Sequence, residues 1–246
     1  MPPSLQQLLQ RPDLWRQRDR RGDSSAGAGL ASGHAPLNRA LCGGGWPRAA
    51  LTELLYERAG IGELELLLPV LARLSQQRLW QCWINPPYIP YAPALAQAGI
   101  ALDSLIIVQA PQRQLLWACE QALRSAACGA VLYWPAGALR YAELRKLQVA
   151  AATQQCAGFI LRAPRAAGQT SPAALRLRLD AAADGLAVRV LKQRGGAAGQ
   201  TVLLPRAQRL QPQLPLCEQL PWQPPPTATG DDSLAVPPPA VAAAVH

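Results

Sequence analysis

The residues whose types and spacing come closest to chemistry are Glu57-Arg58-Ala59-Gly60-Ile61-Gly62-Glu63-Leu64. They follow an apolar run, Ala50-Leu51-Thr52-Glu53-Leu54-Leu55-Tyr56, that reads as a strand. They precede Leu64-Glu65-Leu66-Leu67-Leu68-Pro69-Val70-Leu71, which reads as the start of a helix. Strand, glycine turn and helix form the setting in which backbone N–H groups and a helix N-terminus cradle phosphates. A working phosphate-binding loop is Gly, four residues, then Gly-Lys-Ser/Thr. Here Glu57 stands at the first Gly, Glu63 at the Lys and Leu64 at the Ser/Thr, so only Gly62 matches. A carboxylate about 4 Å from one phosphate charge is repelled by about 4 kcal/mol at an effective dielectric near 20, where a Lys would have attracted by a similar amount. Leu64 also lacks the hydroxyl that would ligate magnesium. The segment is therefore expected to bind no nucleotide in the usual way. Taken alone, Gly60 and Gly62 fit an ordinary turn equally well.

The flanking residues add to this. Leu37-Asn38-Arg39-Ala40-Leu41-Cys42-Gly43-Gly44-Gly45-Trp46-Pro47-Arg48-Ala49-Ala50-Leu51-Thr52-Glu53-Leu54 resembles the start of RecA/RadA-type ATPase cores: a short helix, a triple-glycine turn and the strand before the P-loop. Further on come Ile84-Asn85-Pro86-Pro87-Tyr88-Ile89-Pro90-Tyr91-Ala92-Pro93-Ala94-Leu95, Glu120-Gln121-Ala122-Leu123-Arg124-Ser125 and Cys128-Gly129-Ala130-Val131. Together these motifs resemble the RecA-like ImuA family, encoded with translesion DNA polymerases, over about residues 37 to 204. Ala49 departs from that family's Gly. The stretch from about 50 to 165, including Gly158-Phe159-Ile160-Leu161-Arg162-Ala163-Pro164, also resembles the SulA family of SOS-induced inhibitors of the tubulin-like division protein FtsZ. SulA chains end soon after that segment, and the further patterned sequence here favours the ImuA resemblance.

The resemblance places the acidic end of a magnesium-binding strand at Tyr133 or Trp134, and a glutamate at Ile84-Asn85-Pro86; neither acid is present. With the altered loop, three parts of an ATPase site are missing, so no cofactor and no catalytic residue are expected. His34 and His246 are the only histidines, which leaves no base for a Ser/His/Asp or Cys/His nucleophile. The six cysteines (42, 82, 119, 128, 156, 217) show neither C-x-x-C pairs nor metal-ligand spacing; most stand among apolar neighbours and read as small hydrophobes. The expectation is a chain with no metal site, no leader and no membrane span, working in the cytoplasm with reduced thiols.

Half of the 246 residues are hydrophobic and 16% are charged, which suits one α/β domain with tails. The net charge of +9 is concentrated. Residues 140–209 hold 12 basic and 3 acidic residues, which is +9 by themselves. Nearly all the cations are Arg, a residue suited to planar contacts with phosphate and carboxylate. The resemblance places a single-strand DNA-binding loop at 162–173, so Arg162, Arg165, Arg176, Arg178, Arg189, Lys192 and Arg194 are the candidate contacts to DNA or to an acidic protein. A solvated basic face is the plainer alternative. No aromatic platform for base stacking stands in that loop.

The elements that must position these residues alternate. Strands are expected at 50–56, 79–84, 105–108, 129–134 and 157–161, and helices at 62–77, 91–99, 112–127 and 139–154, with Pro69 kinking or breaking the first. Strands alternating with helices of this length predict a parallel sheet with right-handed crossovers. After residue 172 the pattern alternates apolar and polar, the mark of half-exposed antiparallel strands. The expected organisation is an N-terminal helix (4–18, with Leu5, Leu8 and Leu9 on one side) and flexible link over 1–36, a RecA-like core over 37–204, and a Pro-rich disordered tail over 205–246. The ImuA resemblance implies a non-catalytic adaptor that binds an ImuB-like Y-family protein, RecA and an error-prone DNA polymerase. The SulA resemblance implies a division inhibitor that binds FtsZ.

Overall fold

The computed structural model describes residues 29–205. The predicted N-terminal helix 4–18 and the tail 206–246 lie outside the described residues. Eight strands form one sheet, in the order β3-β2-β4-β5-β1-β6-β7-β8. β1 (Ala50–Leu55), β2 (Trp80–Ile84), β3 (Leu105–Val108), β4 (Cys128–Tyr133), β5 (Ala157–Arg162) and β6 (Leu175–Ala182) run parallel. β7 (Gly185–Gln193) and β8 (Thr201–Pro205) extend the sheet antiparallel. The fold is therefore α/β, a mostly parallel sheet flanked by helices with antiparallel C-terminal strands, as the RecA-type resemblance implies. β6 differs from expectation: it pairs with β1 in parallel on one side and with β7 antiparallel on the other, so it is an interior strand, and Leu175, Leu177 and Leu179 are buried.

Period-two alternation divides β1, β2, β4 and β5 between two cores, while β6, β7 and β8 contribute to one. On one face Leu54, Trp83, Ala130, Leu132, Phe159, Leu177, Val188 and Leu204 pack under α1 (Ala35–Ala40), α2 (Glu63–Gln76) and α3 (Ala92–Gln97). On the other, Leu51, Ile84, Val131, Tyr133 and Ile160 pack under α4 (Gln112–Arg124) and α5 (Tyr141–Gln154). That second core holds Cys82, Cys119, Cys128 and Cys156 as buried free thiols, while Cys42 is exposed. Burial pushes the Cys82 thiol up to about 12 and Cys119 well above its usual range. Residues 29–36, assigned by composition to the link, are held in place: Leu30 bridges Trp46, and Asn38 accepts from both the backbone N–H and the hydroxyl of Ser32.

Two small features decide the packing. Helix α2 runs unbroken through Pro69, so the short break that the proline allowed for does not occur. The missing N–H frees only the Glu65 carbonyl, one turn back at an exposed residue. On the other face Gly158 lets α4 approach the sheet: a Cβ there would stand 2.5 Å from Leu51 Cδ2 and 3.2 Å from Leu123 Cδ2. Gly158→Ala is expected to cost about 1–3 kcal/mol by overpacking, read as a lower urea midpoint with an unchanged slope.

Candidate functional site

In an open α/β sheet, ligands and partners meet the loops at the carboxyl ends of the parallel strands. In this chain the loops after β1, β2, β4 and β5 are tied to one another along that edge. The Trp134 indole N–H donates to the Tyr56 hydroxyl at 3.0 Å, and the Asn85 amide donates to the Trp134 carbonyl at 2.9 Å. The Tyr56 backbone N–H donates to the Arg162 carbonyl at 3.0 Å. Burial, with the Glu63 carboxylate nearby, pushes the Tyr56 phenol up to about 12. A phenol that ionises less readily folded than unfolded binds its proton more tightly in the native state. Its contribution is therefore lost as pH rises above about 10. The tyrosinate absorbance of the folded chain minus that of Tyr56→Phe is expected to show its step near 12; a step near 10 would place Tyr56 in solvent.

The turn between β1 and α2 is closed by its own side chain. Gly60 (φ 89°) and Gly62 (φ 112°) adopt left-handed backbone. Gly62 caps α2, and Glu63 is the first helical residue. The Glu63 carboxylate, 4% exposed, accepts the Gly60 backbone N–H through both oxygens at 3.1 and 3.0 Å. An acid in the first turn also suits the helix dipole. Leu64, the next residue of α2, packs against the core, and Glu57 is exposed on the turn. The sequence treats Glu63 only as a charge that repels phosphate; its role in organising the turn was not read there.

The candidate basic residues divide into two groups. Arg162 and Arg176 are internal and are corrected here from surface contacts to buried ones. Glu53, fully buried in the middle of β1, takes Arg162 Nη1 at 2.6 Å from β5 and Arg176 Nε at 2.5 Å from β6. The reason is physical: a carboxylate inside an otherwise apolar strand must find cations. Arg162 Nη2 also donates to Gln169 Oε1 at 2.8 Å. Arg176 donates to the carbonyls of Ala166 at 2.6 Å and Gln169 at 2.9 Å, fastening the short 3-10 turn Pro164–Gly168 to the sheet. The remaining candidates lie outward. Arg165, Arg189 and Arg194 are exposed, Arg178 pairs with Asp180, and Lys192 donates to the Ser171 carbonyl at 2.7 Å. Arg178 stands opposite Arg189 across β6 and β7. Part of the signal was in the sequence, since Glu53 is the one acid among the six residues of β1; that β5 and β6 each bring an arginine to it is seen only in the sheet.

Between the loop after β4 and the loop after β5 lies a cavity of about 90 Å³, lined by residues 135–138 together with Arg162, Arg165 and Gln169. After β2 the chain presents Tyr88, Ile89 and Tyr91, which are 75%, 79% and 69% exposed. The sequence marked this aromatic-proline segment only as a motif.

A family model described as "Cell division inhibitor SulA" matches residues 49–158. The cell division inhibitor SulA of Pectobacterium atrosepticum is 33% identical over 121 residues, 48% of this chain and 70% of that protein. The chain belongs to the SulA family. The SulA of Serratia marcescens is 30% identical over 116 residues, 47% of this chain and 68% of that protein. The crystal structure of SulA from Pseudomonas aeruginosa matches with 28% identity and a TM-score of 0.38, over 46% of this chain and 97% of that one. The SulA family model spans β1 to the start of β5. It includes Glu53, Glu63, Tyr88 and Trp134, and stops before Arg162, the 162–173 loop and the strands β6 to β8. Among the described residues no helix is long and apolar enough to cross a membrane, and no three His, Cys, Asp or Glu side chains gather to hold a metal.

Proposed function

We propose that the chain is a non-catalytic binding protein of the DNA-damage response, acting as a SulA-like division inhibitor that binds FtsZ in the cytoplasm. One observation carries the non-catalytic part. The Glu63 carboxylate occupies the Gly60 N–H that a phosphate would take in a nucleotide-binding loop. In this reading the turn is a degenerate P-loop filled by its own acid. The Tyr56–Trp134 hydrogen bond spans the strand ends where a nucleotide and its magnesium would sit. The family membership and the name shared by the matched relatives support the division-inhibitor part. The test is light scattering of FtsZ assembly with GTP. Adding the chain at equimolar concentration is expected to suppress the signal, with no ATP hydrolysed by the chain itself. Unchanged FtsZ assembly rules this partner out.

A second reading is favoured by a specific observation. Beyond the matched residues the sheet continues through β6, β7 and β8, and Glu53 is bound to Arg176 from that extension. With the motifs at 37–49 and 84–95, this supports an ImuA-like adaptor in translesion synthesis, with an ImuB-like Y-family protein, RecA and an error-prone polymerase as partners. Co-purification of any of these with the chain after DNA damage, together with inert behaviour toward FtsZ, would favour it.

A further inference from the structure

Two guanidinium groups share a single carboxylate inside the sheet. The side chains of Arg162 and Arg176 are 5% and 8% exposed, and Glu53 between them is 0% exposed. Two positive charges against one negative leave this buried trio at +1. Lys192 adds a further cation close by; burial, then the neighbouring Arg176 and Arg194, hold its ammonium below its ordinary pKa. Unbalanced charge inside a protein is unfavourable, and an approaching anion relieves it.

The molecule is open to such an anion on one side. Arg162 and Gln169 line the cavity described above, and Arg165 stands at it exposed, with no ion-pair partner among the described residues. No carboxylate is among its lining residues. Its volume of about 90 Å³ leaves room for one carboxylate or phosphate group. No aromatic side chain lines it, so a nucleic-acid base would find no stacking surface. Tyr88, Ile89 and Tyr91 follow β2 on the same edge of the sheet. β4 alone separates β2 from β5, which sets the carboxyl ends of those two strands roughly 10 Å apart at two strand spacings. Exposed aromatic side chains beside a desolvated arginine are the composition of a protein-binding hot spot.

We propose that this cleft receives an acidic side chain, Asp or Glu, of a protein partner, whose apolar neighbours rest on Tyr88, Ile89 and Tyr91. This rests on the protein-binding reading above and names the chemistry of the partner. Arg162, already anchored by Glu53 and Gln169, is a pre-set receptor at the cavity wall. Arg165 closes over the carboxylate from outside.

The test is a titration of the full chain, isotopically labelled, followed through its amide resonances. The probes are a capped Leu-Phe-Asp-Glu-Leu peptide, its Asn-Gln counterpart, inorganic phosphate and an oligothymidylate. The acidic peptide is expected to shift Gly137, Ala138, Ala166 and Gln169. The amide peptide and the Arg165→Glu variant should each weaken that response about tenfold or more, and Arg165→Lys should retain most of it. Equal shifts with both peptides, shifts with oligothymidylate or phosphate alone, or no shift in these loops would overturn the proposal. FtsZ assembly separates this from the partner assignment. Suppression undiminished by Arg165→Glu sinks the cleft and leaves the inhibitor reading standing. An acidic-peptide response from a chain inert toward FtsZ does the reverse.

Discussion

Glu53→Ala is expected to lower the stability of the chain by about 3–5 kcal/mol, because it strands two buried guanidiniums without a counter-charge. At roughly 2–4 °C per kcal/mol for a domain of this size, the melting temperature should fall by about 6–20 °C. Urea denaturation followed by tryptophan fluorescence reads this directly, since Trp46 and Trp83 are fully buried. The companion variant separates the loss of the pair from the loss of its shape. Glu53→Leu with Arg162→Met and Arg176→Met replaces the trio by apolar groups, which is often neutral or stabilising. Stability should largely return, but the turn at 164–168 should not stay in place. Arg176 is what ties the carbonyls of Ala166 and Gln169 to the sheet. The triple variant is therefore expected to be stable yet cut faster by trypsin at Arg165. A loss below about 1 kcal/mol for Glu53→Ala would show that the carboxylate is not the hub of this arrangement.

The alternating pattern of strands and helices was readable because β1, β2, β4 and β5 are almost wholly buried, β3 is a short apolar run, and the flanking helices carry their apolar residues at helical spacing. The strand limits came within one or two residues at β1 through β5 for that reason. The role of β6 was not readable. Leu175-Arg176-Leu177-Arg178 alternates in the manner of a half-exposed strand, but Arg176 faces a buried carboxylate on β1, its neighbour in the sheet, a contact between residues 123 apart in sequence. Alternation reports polarity, and a cation neutralised in the interior reads the same as one in water. Likewise Glu63 was visible as the wrong charge for a phosphate, while its hydrogen bonds to Gly60 depend on the left-handed backbone at Gly60 and Gly62. The buried cysteines, by contrast, follow from their apolar neighbours alone.

Truncating Tyr88, Ile89 and Tyr91 together to Ala is expected to abolish partner binding while leaving the fold intact. All three side chains stand mostly in water, so removing them should change stability by less than about 1 kcal/mol. At an interface the same side chains behave differently. A buried aromatic anchor costs about 2 kcal/mol or more when truncated, which is about 30-fold in affinity for one such residue. Losses from three neighbours overlap and do not simply add. The backbone that carries them is already restrained by Pro86, Pro87 and Pro90, so little chain entropy is spent in presenting them. The measurement is calorimetric titration of the wild type and the triple variant against FtsZ, repeated with the ImuB-like protein, beside urea melts of both chains. Binding unchanged by the truncation would move the docking surface elsewhere, and Trp117, 65% exposed on α4, is the next place to cut. The distinction is physical: α4 lies on a face of the sheet, whereas the loop after β2 shares the carboxyl edge with Trp134 and Arg162. Binding through that loop would engage the carboxyl edge of the sheet, where open α/β sheets take their ligands.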